Sequence, residues 1–200
     1  MQEQKELLLV SSRYVRLAAL GLIGWTYSWN ALAGDSATTV GQKPSTVVIS
    51  GDDGGNVSDA SLWSSDSLTG KLNLFVYVDP DLSDLNDAFT KAVKAKNFPK
   101  DKFGSVAVIN MQATWKPNMI IQAVLEKKQK EYPNTVYVTD KDKVLVNKWD
   151  LTDDAYNVLL FDDSGKLLFK ADGQLDEAKT KEFIDLVENA LANGDKSAAK

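Results

Sequence analysis

The chain contains no cysteine and no histidine. Without cysteine there is no disulfide, no thiolate nucleophile and no thiol redox couple. Without histidine as well, the usual Cys/His zinc sites are gone, and so is every catalytic scheme that needs imidazole. A cysteine-free chain is compatible with an oxidising compartment but does not identify one. Arginine is nearly absent too: Arg13 and Arg16 stand near the start, and every later cation is lysine. Arginine supplies the bidentate forks that read guanine and clamp phosphate. A body with no arginine and a net charge of −5 is a poor nucleic-acid binder, so no nucleic-acid partner is expected.

What is present is ordinary for a soluble globular protein. Apolar residues make up 44% of the 200 and charged residues 26%, which suits one domain with a core of useful size. The first residues differ in kind. Lys5, Arg13 and Arg16 precede an apolar stretch over 17–27, and Ala31-Leu32-Ala33 is followed by Gly34. A basic leader, a short apolar segment and small residues at the inspected positions make a signal-peptide pattern over 1–33, with cleavage between Ala33 and Gly34. The apolar stretch is too short to cross a bilayer comfortably. Contact with a membrane is therefore expected only through this leader, if it stays uncleaved. Removing it takes away three cations and two acids, leaving a 167-residue exported domain of charge −6. In a bacterium with two membranes that domain would be periplasmic.

The rest is organised around Leu72-Asn73-Leu74-Phe75-Val76-Tyr77-Val78, an apolar, β-branched and aromatic run that reads as a buried strand. Asp79-Pro80 ends it. Leu82, Leu85, Phe89 and Val93 then recur at helical spacing. Asp79 as cap, with Pro80 in the first helical position, predicts a helix starting near Asp79 or Asp81. The acids Asp81, Asp84 and Asp87 suit its positive end. A calcium loop starting at Asp79 fails, because its sixth position is Asp84 rather than glycine and its twelfth is Thr90 rather than glutamate. No metal and no cofactor are expected.

In chain order, residues 34–45 read as a linker and 46–49 as an edge strand. Residues 51–58 read as a turn rich in Asp and Gly. Residues 105–110 make a second buried strand. Asn118 is the expected cap of a helix ending in Lys127, Lys128 and Lys130, cations that suit a helix C-terminus. Residues 135–139 make a third strand, 144–149 are ambiguous between strand and helix, and 157–161 with 166–169 form a hairpin around Asp162-Asp163-Ser164-Gly165. Asp176 caps a last helix, whose stripe of Phe183, Leu186, Val187, Ala190 and Leu191 is expected to end at Asn193-Gly194, with a flexible tail over 195–200. Trp63, Trp115 and Trp149 are expected to be core or loop anchors.

Strand–helix–strand at the front implies a right-handed parallel crossover, and the hairpin adds antiparallel pairing. The expected fold is α/β, thioredoxin-like, with a mixed central sheet flanked by helices, over residues 46–194. The strand–Asp-x-x-Gly–strand segment over 158–168 and the Gly41-x-x-Pro44 segment resemble exported thioredoxin-like proteins. More closely, the chain resembles the YtfJ family of periplasmic thioredoxin-like bacterial proteins. The resemblance is carried by the 83–95 helix, residues 127–133, Val138-Thr139-Asp140, Lys148-Trp149-Asp150-Leu151 and residues 157–169.

The resemblance to thioredoxin-like enzymes implies where a redox site would lie. Its two cysteines would fall at Pro80 and Ser83, and its cis-proline near Tyr156. Both halves are absent. Ser83 has no histidine to activate it. The expectation is an exported, redox-inactive protein, not an enzyme, that binds a periplasmic protein or a small ligand. The expected binding surface is Asp79, Pro80, Asp81, Ser83, Asp84 and Tyr156. An enzyme working through carboxylates or a bound metal is the alternative, with Asp79, Asp81, Asp84 and Tyr156 as the first residues to test. Some members of the resembled family carry a transcriptional-regulator label. The export pattern and the missing basic face argue against that role here.

Overall fold

The computed structural model describes residues 38–198. The leader and the Ala33–Gly34 junction lie outside the described residues. Eight strands and four α-helices follow in order: β1 (Val48–Ile49), β2 (Gly54–Asn56), β3 (Trp63–Ser64), β4 (Leu72–Val78), α1 (Asp87–Ala95), β5 (Phe103–Asn110), α2 (Asn118–Glu131), β6 (Thr135–Asp140), α3 (Val144–Trp149), β7 (Tyr156–Phe161), β8 (Leu167–Asp172) and α4 (Glu177–Ala198).

Six strands form one mixed sheet in the order β2-β6-β5-β4-β7-β8. The three middle strands β6, β5 and β4 are parallel, and the others join antiparallel. All seven residues of β4 are buried, because helices and a loop layer cover both faces. The period-2 alternation of a strand splits them. Leu72, Leu74, Val76 and Val78 enter one core with Phe89 of α1, Ile121 and Leu125 of α2, and Phe183 of α4. Phe75 and Tyr77 enter the other, with Trp63, Leu145 and Trp149. The second core is rich in aromatic rings. The Phe75 ring centroid lies 5.5 Å from that of Trp149 and 6.0 Å from those of Phe161 and Trp63.

Several local expectations are corrected. The edge strand of 46–49 shortens to β1 and pairs only with β3, in a separate two-stranded sheet. The turn over 51–58 contains β2, the true edge of the main sheet, paired with Val138–Asp140 of β6. Gly54 makes that approach possible: it has φ 128°, and a Cβ there would lie 1.9 Å from the Thr139 carbonyl oxygen. The ambiguous 144–149 segment is helix α3. Pro117, not Asn118, occupies the cap position of α2. Asn193-Gly194 does not stop α4, which runs to Ala198, so 195–198 belong to a helix. The end of the expected linker is tied down. Gly41 N–H donates to Leu167 O at 2.8 Å, Leu167 N–H donates to Gln42 O at 2.9 Å, and the Thr38 hydroxyl donates to Trp149 O at 2.7 Å. Among the described residues no helix is long and apolar enough to cross a membrane.

Candidate functional site

The three parallel strands end at Val78, Asn110 and Asp140. In open α/β sheets the carboxyl ends of the strands are where ligands sit. Each strand here passes into a polar segment, and the segments are tied to one another.

The turn after β4 is built on Asp79. Its Oδ1 accepts the Asp81 N–H at 2.8 Å, capping a single 3-10 turn over Pro80–Leu82. Pro80 fits because the first helical position needs no N–H. The Asp79 N–H donates to Ala155 O at 3.0 Å, which ties the turn to the loop before β7. The predicted helix therefore does not start here. A 3-10 turn comes first, and α1 begins only at Asp87. Asp79 is itself buried. Burial pushes its carboxyl above the usual carboxylate range, and its neighbours Asp81 and Asp154 push the same way.

Asp81, Ser83 and Asp84 are exposed, and Pro80 is half-buried. The Lys116 ammonium sits 2.5 Å from Asp81 Oδ1. That contact, with Thr114, holds the Asp81 carboxyl below its ordinary range. Ser83 Oγ donates to Asp84 Oδ1 at 3.4 Å, a long contact on the exposed side of the turn. The structure thus brings Asp79, Pro80, Asp81, Ser83 and Asp84 onto one turn. It does not bring Tyr156 with them as surface. The backbone of Tyr156 lies opposite Val78 in the ladder, but its ring is 5% exposed and packs in the core with α1 and α4. Burial, with Asp87 nearby, pushes its phenol up to about 12. Tyr156 is a core residue because, as the partner of Val78, it shares that residue's face of the sheet.

Sequence reasoning missed the buried polar residues at the ends of β5 and β6 and their partners. Asp140 is fully buried at the end of β6. Its Oδ1 accepts the N–H groups of Asp142 and Val144, and its Oδ2 accepts the Leu145 N–H at 3.0 Å and the Tyr77 hydroxyl at 3.2 Å. One carboxylate therefore fastens the start of α3 to the central strand. Burial and the Asp140 charge push the Tyr77 phenol far above its usual range. Asn110, 1% exposed, donates to Asp153 Oδ1 at 2.9 Å. The other oxygen of Asp153 meets the Lys143 ammonium at 2.5 Å. Burial pushes Asp153 up, but Lys143, the Asp154 N–H and Asn110 together hold it below the usual range. The loop carrying Asp153 is folded sharply: Asp150 and Asp154 both adopt positive φ, at 51° and 47°. Acidic residues tolerate that region better than most. The one available signal was an aspartate at a strand end four residues before a helix, a cap pattern hidden in the run Asp140-Lys141-Asp142-Lys143.

No group of three or more acidic side chains able to hold a metal ion occurs among the described residues. A cavity of about 380 Å³ lies elsewhere, at the β2 edge, lined by Gly51, Gly54, Met111, Met119, Gln122 and Lys141 among others. None of the turn residues lines it.

The sheet order, the strand–turn–α1 junction and the loop that meets it from β7 define a thioredoxin-like fold. Solved structures agree. A Chlorobium tepidum protein carrying the thiol:disulfide interchange name DsbE superposes with a TM-score of 0.56 at 16% identity, over 78% of this chain and 99% of that one. The thioredoxin domain of a thiol-disulfide oxidoreductase from Bacteroides vulgatus gives 0.51 at 18% identity, over 78% and 99%. At these identities the likeness establishes the fold alone. The family model described as "Bacterial protein of unknown function (YtfJ_HI0045)" matches residues 33–190, so the chain belongs to that family. A curated relative, the uncharacterized protein YtfJ of Escherichia coli, is 24% identical over 132 residues, covering 64% of this chain and 72% of the relative. With no cysteine anywhere, this member of the family performs no thiol–disulfide exchange on its own side chains.

Proposed function

We propose that the protein is exported to the periplasm and uses the turn over 79–84, with the loop over 150–155, as a contact surface for a periplasmic protein or small ligand. The observation that carries this reading is the Asp79 N–H to Ala155 O bond. It joins the two segments where a thioredoxin would hold its thiols and its peptide-contacting loop, and it holds them with no redox group between. Asp81, Ser83 and Asp84 are left at the surface as fixed polar contacts. A kept scaffold with a replaced centre suits binding without chemistry, although function belongs to the site and not to the fold. The basic leader, apolar segment and Ala33–Gly34 junction support export.

Hydrogen exchange tests the binding part. Amide exchange is compared with and without concentrated periplasmic extract. Slowing confined to 79–84 and 150–155 supports the reading; slowing elsewhere only, or nowhere, contradicts it. Cell fractionation with intact-mass measurement tests export. A periplasmic species starting at Gly34 is expected, and a full-length cytoplasmic one would contradict it.

A further inference from the structure

Helix α2 has 14 residues, of which only Ile121 and Leu125 are buried. Its outer side is apolar where a surface helix is normally polar. Met119 is 83% exposed, Ile120 57% and Val124 49%, and Trp115 just ahead of the helix is 86% exposed. Met119 and Ala123, and Ile120 and Val124, are spaced four apart, so they stack along the helix. Single exposed apolar residues need no explanation, but three large ones on one helix with Trp115 just ahead of it mark a contact surface.

The two ends of this surface carry opposite charge. At the α2 N-terminus, Met119 faces the loop of Gly51 and Gly54 across the 380 Å³ cavity. That loop carries Asp52 and Asp53, both exposed. Neither side chain has a cation partner among the described residues; Lys141 lines the same cavity, but it meets Asp53 through its backbone N–H and not its ammonium. At the C-terminus stand Lys127, Lys128 and Lys130, which outnumber the exposed Glu126 and Glu131 of the same turns and have no carboxylate partner among the described residues. Lys94 of α1, 5.2 Å over the Tyr132 ring, adds to that end.

An apolar centre with acid at one end and lysine at the other is complementary to itself when reversed. We infer that α2 is the contact of a two-fold homodimer, in which the helices of two copies pack antiparallel through Met119, Ile120, Ala123 and Val124. Small Ala123 sits at the crossing, where helix axes must approach to about 8–10 Å. Lys127 and Lys130 of each copy then lie beside Asp52 and Asp53 of the partner subunit. The helix is about 21 Å long, so both charged ends come into register at once. Two-fold contacts are isologous, using one patch on both subunits, and this patch has that property. A membrane surface fits less well: anionic lipid attracts the lysine end but repels the acid end of the same patch. No residue of the 79–84 turn takes part, so the inference stands apart from the proposed function.

Sedimentation velocity of the purified protein over a range of concentrations tests this. The native protein sediments as a dimer, about tenfold more weakly associated in high salt. Ile120→Lys with Val124→Lys gives a monomer with an unchanged melting temperature. Lys127→Glu with Lys130→Glu weakens the dimer, and adding Asp52→Lys with Asp53→Lys restores it, because both signs reverse together. A native protein that stays monomeric overturns the inference, as does a dimer that survives Ile120→Lys with Val124→Lys. A monomer that co-sediments with phosphatidylglycerol vesicles overturns it in favour of the membrane.

Discussion

The Tyr77 hydroxyl donates to Asp140 Oδ2 at 3.2 Å, inside the protein and 63 positions away in sequence. This contact fastens the central strand to the end of β6, while the same carboxylate caps the start of α3. A buried polar network therefore joins β4, β6 and α3. Such networks are costly to break on one side only, because the partners left behind lose both water and their bond. Tyr77→Phe removes one donor and is expected to cost about 1–2 kcal/mol. Asp140→Ala strands the hydroxyl and three N–H groups, and is expected to cost about 3 kcal/mol or more. Urea denaturation of the two variants measures the difference. Equal costs would contradict the shared-carboxylate reading.

Asp79 gives a pH-dependent prediction. Burial raises its folded carboxyl above the unfolded value of 3.8. A raised carboxyl favours the folded state when protonated. That contribution is full below pH 3.8 and is lost as pH rises through the folded value. Asp79→Asn keeps an oxygen for the Asp81 N–H and removes the buried charge. The variant is expected to melt higher than the native protein at neutral pH, with the gain disappearing in acid. Asp79→Ala loses the cap as well, about 1 kcal/mol. Melting curves across the pH range read both.

Asp153 works in the opposite sense. Lys143, the Asp154 N–H and Asn110 hold its carboxyl below the ordinary 3.8. The stability it supplies is present above that value and is lost as pH falls through the lowered one. Asp153→Asn is expected to be less stable than the native protein at neutral pH, and the gap closes in acid. A gap that persists at low pH would mean the side chain acts through shape and not charge.

Gly54→Ala tests the edge strand. The added methyl would meet the Thr139 carbonyl oxygen, in a backbone region closed to L-residues. Hydrogen exchange is expected to speed at 54–56 and on the β6 amides that face them, while β4 stays protected. Uniform acceleration across the sheet would show that β2 is part of the main cooperative unit instead.

The large features were legible in the sequence because they rest on local pattern. Six apolar residues and one asparagine at 72–78 mark a strand buried on both faces, and helical spacing marks α1 and α4. What escaped depends on contacts far apart in sequence. Gly54-Gly55 has the composition of a turn, and only its fit against Thr139 makes it a strand. Tyr156 stands beside a loop, so it read as surface. Its pairing with Val78 turns the ring inward. Asp140 sits in a run of Asp and Lys and Asp153 in the polar stretch Thr152-Asp153-Asp154, both of which resemble solvated loops, yet Tyr77 and Asn110 reach them from other strands. Trp115, expected to be an anchor, is instead exposed. Nothing in a single sequence distinguishes a tryptophan that packs from one that faces water.

The proposed function requires the turn over 79–84 to touch a partner. Site-specific photo-crosslinking in living cells tests it most directly, with the probe at Ser83 and a control probe at exposed Glu182 of α4. One reproducible adduct is expected at Ser83, none at Glu182, and loss of that adduct when Asp81 and Asp84 are both changed to Ala. Identical adducts at both positions, or no adduct at Ser83 from a protein shown to be exported, would contradict it.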